Sequence, residues 1–234
     1  MKIGVYNIEG FSAGKANITD PRVEELKKMF NSPKSVYIQV EVITDGQKLV
    51  ESDGILALEN SKLDLVLQDM EFVESRLERS SDEIEKKLFG RFKELLDKER
   101  FLSEAVLTDA ERQLISGYPM LTVKPIYLAK QEELDDKGKA LFAAYYHLGF
   151  ISFFTAGDKD SHAWSVKKGA TAWEASGAIH SDIQKGFIRA EVVSFQDLTA
   201  DGSLSKARTN NHIRLEMKDY IVKDGDYIVF RCNK

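Results

Sequence analysis

Residues 153–195 read FFTAGDKDSHAWSVKKGATAWEASGAIHSDIQKGFIRAEVVSF, and residues 217–233 read MKDYIVKDGDYIVFRCN. Apolar-rich stretches at 163–166, 186–195 and 227–231 predict short strands. Residues 172–180 predict a short helix between the first two. Asp224-Gly225-Asp226 predicts a tight turn ahead of the last strand. Short strands, one helix and tight turns in this order outline a small β-grasp domain.

Outward from this segment the pattern changes. Residues 2–8 alternate apolar and polar and predict a first strand. Asp20 can cap a helix whose first position suits Pro21, and Val23, Leu26, Met29 and Phe30 carry it to about Asn31. Residues 35–43 predict a strand with Val36, Ile38, Val40 and Val42 on one face. Asp45-Gly46 is a hairpin-type turn signal, followed by a short strand at 55–58. Leu63, Val66, Met70, Val73 and Leu77 then step by three and four, a coiled-coil-like seam. Ser80 and Glu83 match a capping box, so a second helix with Ile84, Leu88, Phe92 and Leu95 on its apolar face starts there. Two helices joined by a two-serine break predict an antiparallel hairpin over 61–100. Thr108 and Glu111 form another capping box, and that helix stops near Gly117 before Pro119. Residues 120–129 predict a strand interrupted by Pro125, and 138–149 a helix.

The C-terminal segment also resembles a known family. The FFT entry, the AW strand, the KG turn, the AxxAxxIHxD helix end, the KGFIRAEV strand and the DYxVxDGD closing turn, in this order, are similar to the TGS region of the YchF/Obg-like P-loop ATPases. Weaker similarity runs upstream: TDPRVEELKKMFNSPKSVYIQVEV at 19–42, LDLVLQDMEFVESRLER at 63–79 and MLTVKPIYLAK at 120–130. The resemblance implies an α/β protein in three parts. Residues 1–60 and 119–152 would form a degenerate P-loop-like α/β core, 61–118 a helical-hairpin insertion, and 153–234 a β-grasp, ubiquitin-like TGS domain.

The nucleotide motifs of that family do not align. A P-loop needs Gly-x4-Gly-Lys-Ser/Thr, whose backbone amides cradle phosphates while its hydroxyl binds magnesium. Around Gly14-Lys15 the first glycine position holds Glu9 and the hydroxyl position holds Ala16. A carboxylate about 4 Å from a phosphate costs on the order of 4 kcal/mol per unit charge at a surface-like dielectric. The family's Asp-x-x-Gly switch is matched only by the adjacent Asp45-Gly46. Its base-reading asparagine falls at Lys130, and lysine has no acceptor. These losses lead to the expectation of a chain that is not an enzyme and uses no cofactor. It would be a binding or regulatory protein that contacts RNA, a ribosome or a translation-linked partner. The alternatives are a divergent ATP/GTP-hydrolysing member and a nucleotide sensor without turnover.

Composition narrows the classes. The formal net charge is −5, yet residues 155–234 carry 12 Lys+Arg against 11 Asp+Glu, so a local positive patch can survive only there. Lys167, Lys168, Lys185 and Arg189, with His162 and Trp173 as stacking faces, are the candidates for contact with RNA or another partner. The plainer reading leaves the lysines as solvated surface and Trp164 as core. The helical hairpin is a candidate surface for a protein partner. No apolar run reaches the roughly 18 residues a membrane span needs, and the N-terminus does not read as a secretory signal. A cytoplasmic protein without a membrane partner is expected. The four histidines have no zinc-binding spacing, and His180-x-Asp182 reads as a local turn bond. The one cysteine, Cys232, cannot close an intramolecular disulfide.

Overall fold

The computed structural model describes residues 1–233. Strands β1 (Lys2–Tyr6) and β2 (Gly14–Ile18), helix α1 (Pro21–Phe30), and strands β3 (Ser35–Val36), β4 (Ile38–Ile43) and β5 (Gly54–Leu58) come first. Helices α2 (Lys62–Arg79), α3 (Glu83–Leu96) and α4 (Asp109–Ile115) follow, then β6 (Ile126–Ala129) and α5 (Lys137–His147). The remainder is β7 (Phe150–Ala156), β8 (Ser161–Lys167), α6 (Ala172–Ile179), α7 (Ser181–Lys185), β9 (Phe187–Ser194), α8 (Phe195–Asp201), α9 (Leu204–Thr209), β10 (Arg214–Glu216) and β11 (Asp226–Cys232). The strands form two sheets, β2-β4-β1-β5-β6 and β10-β9-β11-β7-β8-β3. This is the mixed α/β class expected from the sequence. The chain divides into two compact units, Met1–Ala16 with Val40–Leu148, and Asn17–Gln39 with the chain from Gly149 onward.

In the first unit β1 pairs in parallel with β4 on one side and β5 on the other, and β5 pairs in parallel with β6. Strands buried on both faces need near-continuous apolar runs, which β1 and β5 supply with Ile3, Val5, Ile55, Leu56 and Ala57, whereas β4 alternates and exposes Gln39 and Glu41. Gly54 permits a close approach: a Cβ there would lie 2.3 Å from Leu148 Cδ2. The hairpin expected at Asp45-Gly46 is not formed. Strands that both run parallel to β1 require a crossover, and the Asp45 carboxylate instead caps a 3-10 turn by accepting the Gln47 N–H at 3.0 Å.

Helices α2 and α3 form the expected hairpin around Val66, Val73, Leu88, Phe89, Phe92 and Leu96. Two details differ. Asp82, not Ser80, caps α3, accepting from the N–H groups of Ile84 and Glu85 at 2.7 and 3.2 Å. Ser80 instead donates its hydroxyl to Glu85. The inner face of α3 centres on Glu85, Leu88, Phe89 and Phe92, which leaves Ile84 exposed on the rim; Leu63 is also exposed. The strand expected from Met120 starts only at Ile126. Buried Asp69 of α2 accepts from the backbone of Leu121 at 3.0 Å and from the backbone and hydroxyl of Thr122 at 2.7 and 2.6 Å, and holds that stretch irregular.

In the second unit β7 and β8 form an antiparallel hairpin, β11 lies parallel to β7, and β9 lies antiparallel to β11. The first strand of the hairpin beside the last strand, in parallel, is β-grasp topology. Ala172 and Ala175 of α6 pack on Ile151, Phe153, Ala190, Val192 and Ile228. Helix α1 belongs to this unit: Phe30 stacks on Tyr227 at 5.1 Å and the Arg22 guanidinium lies 4.9 Å from the Phe154 ring centre. The single strand expected over 35–43 is split at Tyr37. β3 pairs with β8 while β4 pairs with β1, and Ser35 and Tyr37 both donate hydroxyls to Glu24 of α1. The sequence reading also missed α8 and α9, each capped by a serine, Ser194 and Ser203.

Two outcomes follow from this packing. The Asp20 carboxylate is fully buried and is held by Arg22, which reaches on to Asp224 at 2.7 Å. Arg22→Ala should therefore cost about 3 kcal/mol by leaving a buried charge unpaired, and Arg22→Lys should recover only part of it, lacking the planar fork; urea unfolding measures both. Glu85, bonded by Ser80, Arg76 and Tyr118, has its carboxyl pushed down to about 2. Its contribution is present above the ordinary value of 4.5 and is lost as pH falls toward 2. Glu85→Gln should lower stability by about 2 kcal/mol at pH 7, and the difference from the parent should shrink steadily between pH 5 and pH 2 in thermal melts.

Candidate functional site

The first unit has a crevice of about 360 Å³ at the carboxyl ends of β1 and β4, lined by Asn7, Thr44, Gly46, Gln47 and Gln68 among others. Open parallel sheets bind ligands at such carboxyl ends, where successive connections leave in opposite directions. The chain does so here, since β4 and β5 flank β1 on opposite sides. Asn7 takes a left-handed conformation, φ 51°, directly after β1. Among the described residues no lysine or arginine lines the crevice, so an anion there would rest on amide and hydroxyl donors. The loop between β1 and β2 contains no helix. It is tied to α5 by Lys137, which donates to the Gly10 carbonyl at 2.6 Å. Gly14, Lys15 and Ala16 are part of strand β2 rather than of a loop. Lys130 caps a 3-10 turn, its N–H donating to Glu133 at 2.7 Å. Burial and Glu133 together push the Tyr127 hydroxyl up to about 12.

In the second unit the strand register sets where the candidate cations lie. Lys167 pairs with Phe150 at the start of β7. Tyr227 pairs with Phe154, and Arg231, four residues further along β11, pairs with Arg189. Arg189 and Arg231 are thus about eight residues along the sheet from Lys167, roughly 26 Å at 3.3 Å per residue. Lys185 joins the Arg189 end: Gly186, next to it, lies so close to the end of β11 that a Cβ would come 2.4 Å from the Asn233 carbonyl oxygen. Trp173, 46% exposed, lies in the first turn of α6 and donates its backbone N–H to the Lys218 carbonyl. The structure therefore does not gather the six candidates into one patch. It places Lys167 and Lys168 at one end of the sheet and Lys185 and Arg189 at the other.

His162 lies apart from both ends. Its ring stacks on Trp164 with centroids 3.7 Å apart and planes 12° apart, beside a cleft of about 590 Å³ lined by Ser35, Tyr37, Gln39 and Ser165. Burial holds its pKa below the ordinary 6.5, so at neutral pH it offers a flat neutral ring rather than a charge. Trp164 is part of the core edge, its Nε1–H donating to Thr155. His180 Nδ1 accepts the Asp182 N–H at 3.1 Å, the local turn bond expected. Among the described residues no group of acids, histidines and cysteine is placed to hold a metal. Sequence reasoning missed Glu191, Arg208 and Arg231, which meet on one face of β9 and β11. Glu191 accepts from Arg208 at 3.1 Å and from Arg231 at 2.9 Å. Only the antiparallel register of β9 and β11 shows that Arg231 faces Arg189.

Residues 150–233 match the family model described as YchF-GTPase_C, a protein of unknown function (DUF933). The "Ribosome-binding ATPase YchF" of Bacillus subtilis is 31% identical over 246 residues, covering 77% of this chain and 67% of that protein. The protein of the same description from Mycoplasma genitalium is 47% identical over 95 residues, 41% of this chain and 26% of that protein. "Obg-like ATPase 1" of Danio rerio is 43% identical over 95 residues, 41% and 24% of the two chains. The chain thus spans about two thirds of the Bacillus relative and about a quarter of the other two. A solved structure, the Schizosaccharomyces pombe YchF GTPase, superposes with a TM-score of 0.73 over 99% of this chain and 97% of that one, at 16% identity. The curated relatives overturn the expectation of a chain that is not an enzyme, because they are named ATPases and so point to nucleotide hydrolysis.

The stacked pair carries its own test. His162 should titrate below the ordinary histidine range in an NMR pH series, and Trp164→Ala, which opens the ring to water, should move it back up toward 6.5.

Proposed function

The chain belongs to the YchF family of Obg-like ATPases, and from that membership we propose that it is a cytoplasmic, ribosome-associated protein whose C-terminal unit, read as a TGS domain, makes the ribosomal contact. The observation that carries this is the coincidence of two features on one segment. Residues 150–233 match the family model, and the same segment presents Lys167, Lys168, Lys185 and Arg189, all exposed. Lys167 at the end of β8 and Lys168 in the turn after it suit phosphate contacts, which give affinity without reading sequence. Among the described residues no helix is long and apolar enough to cross a membrane.

Nucleotide turnover is a second reading, favoured by the crevice at the carboxyl ends of β1 and β4. Its hydroxyl and amide lining would hold a nucleotide differently from a lysine-bearing phosphate loop. Phosphate release from magnesium-ATP by the purified chain would measure it, and Thr44→Trp, which fills the crevice from an exposed position, should abolish it.

For the leading reading, the chain should co-sediment with ribosomes at low salt. Lys167→Ala with Lys168→Ala should weaken that binding and lower the salt slope by roughly two, one for each phosphate no longer neutralised. Failure to co-sediment at any salt concentration would remove the ribosomal assignment.

A further inference from the structure

Arg189 and Arg231 stand directly opposite each other on neighbouring antiparallel strands. Like charges in that relation repel. Glu191, two residues along β9 and on the same face, compensates only part of this, and α9 adds Arg208. Two guanidiniums, Arg208 and Arg231, thus share one carboxylate, and a third, Arg189, stands beside them on the same sheet end. Glu191 takes one short bond from each of Arg208 and Arg231, and its side chain is only 13% exposed while theirs are 65% and 51% exposed. A guanidinium has five N–H donors, so each arginine is oriented by Glu191 and still presents donors to solvent. Arg189 has no ion pair among the described residues. This arrangement lacks an anion, and a forked cation pair suits a phosphate.

Arg208 and Arg231, with Glu191 between them, rim a cavity of about 310 Å³ whose apolar lining includes Val193, Val229, Leu204 and Ile213. A phosphate alone has no use for such a cavity, and the flat apolar face of an unstacked base does. We propose that this cavity is a binding site for an unpaired RNA nucleotide, with its base against Val229 and Val193 and its phosphate on Arg208 and Arg231. The inference rests on the ribosomal reading and narrows it: the C-terminal unit would take a single-stranded segment of the RNA, since bases locked in a duplex cannot enter a pocket. Lys167 and Lys168, at the other end of the sheet, would serve only longer-range phosphate contact.

The test uses the full chain and a fluorescein-labelled RNA tetranucleotide, measured by anisotropy at several salt concentrations. A stacked tetramer, at about 3.4 Å per nucleotide, does not reach from Arg231 to Lys167. The single strand should bind at least about tenfold more tightly than a short duplex of the same sequence. Arg208→Ala with Arg231→Ala should weaken it about tenfold or more and lower the salt slope by about 0.7, the single-strand value for the one phosphate they hold. Val229→Glu should weaken binding as well, whereas Lys167→Ala with Lys168→Ala should leave it unchanged. Arg208→Lys with Arg231→Lys, which keeps charge and fold but not the fork, should fall in between. Equal affinity for duplex and single strand, or full affinity in the arginine-to-alanine protein, overturns the proposal. Ribosome co-sedimentation run alongside separates the two ideas. If it persists while the tetramer fails to bind, the cavity is refuted and the ribosomal reading stands; if both fail, both fall.

Discussion

A carboxylate taken fully out of water must find a partner, and Asp20 finds Arg22. The same guanidinium reaches Asp224 and lies over the Phe154 ring. Asp224 in turn accepts the N–H of Ser152, and Gly225, left-handed at φ 84°, leaves the space into which Arg22 projects. The closing turn of the β-grasp unit is therefore shaped around a side chain from helix α1. Asp226 completes the turn by accepting from Lys223 N–H and the Tyr220 hydroxyl. Burial raises its pKa, so its two bonds matter more than its charge.

The first unit is organised by a different device. Its β1, β4, β5 and β6 pair in parallel, and the irregular stretch before β6 is held by Asp69 rather than by strand pairing. That places a polar, uncharged crevice at the carboxyl ends of the strands, while the exposed cations considered for RNA contact lie on the other unit. The two proposed sites thus differ in lining, with hydroxyl and amide donors in one unit and guanidiniums over an apolar cavity in the other.

Local signals were legible in the sequence where the physics is local. Asp20-Pro21, Thr108 with Glu111, and the Ser80-Ser81 break each describe a few consecutive residues, and the helices start and stop close to where they indicate. Asp45-Gly46 misled because the same dipeptide serves a hairpin and a helix cap, and only strand direction separates the two. Residues 35–43 look like one strand by alternation, but Glu24 binds Ser35 and Tyr37 and the strand changes sheets there. The candidate cations were legible as residue types, not as a site. Lys167 and Arg189 are 22 positions apart in sequence, yet their separation in space depends on a register set by β7 and β11. Arg231 could be recognised as the neighbour of Arg189 only through that register.

The second unit is assembled from two stretches of chain, residues 17–39 and the segment from Gly149, with residues 40–148 between them. A ten-residue helix is only marginally stable alone in water, and the sheet it covers is made later. At about 5–20 residues per second, synthesis of the intervening segment leaves α1 waiting for some 5–20 s. During that interval Leu26 and Phe30 have no sheet to cover, and Asp20 and Arg22 are solvated. The sequence separation that makes this unit invisible to local reading also makes its contacts high in order and slow to close. The nascent chain therefore passes through a period in which the first unit can complete its own sheet while the N-terminal helix of the second remains exposed to chaperones.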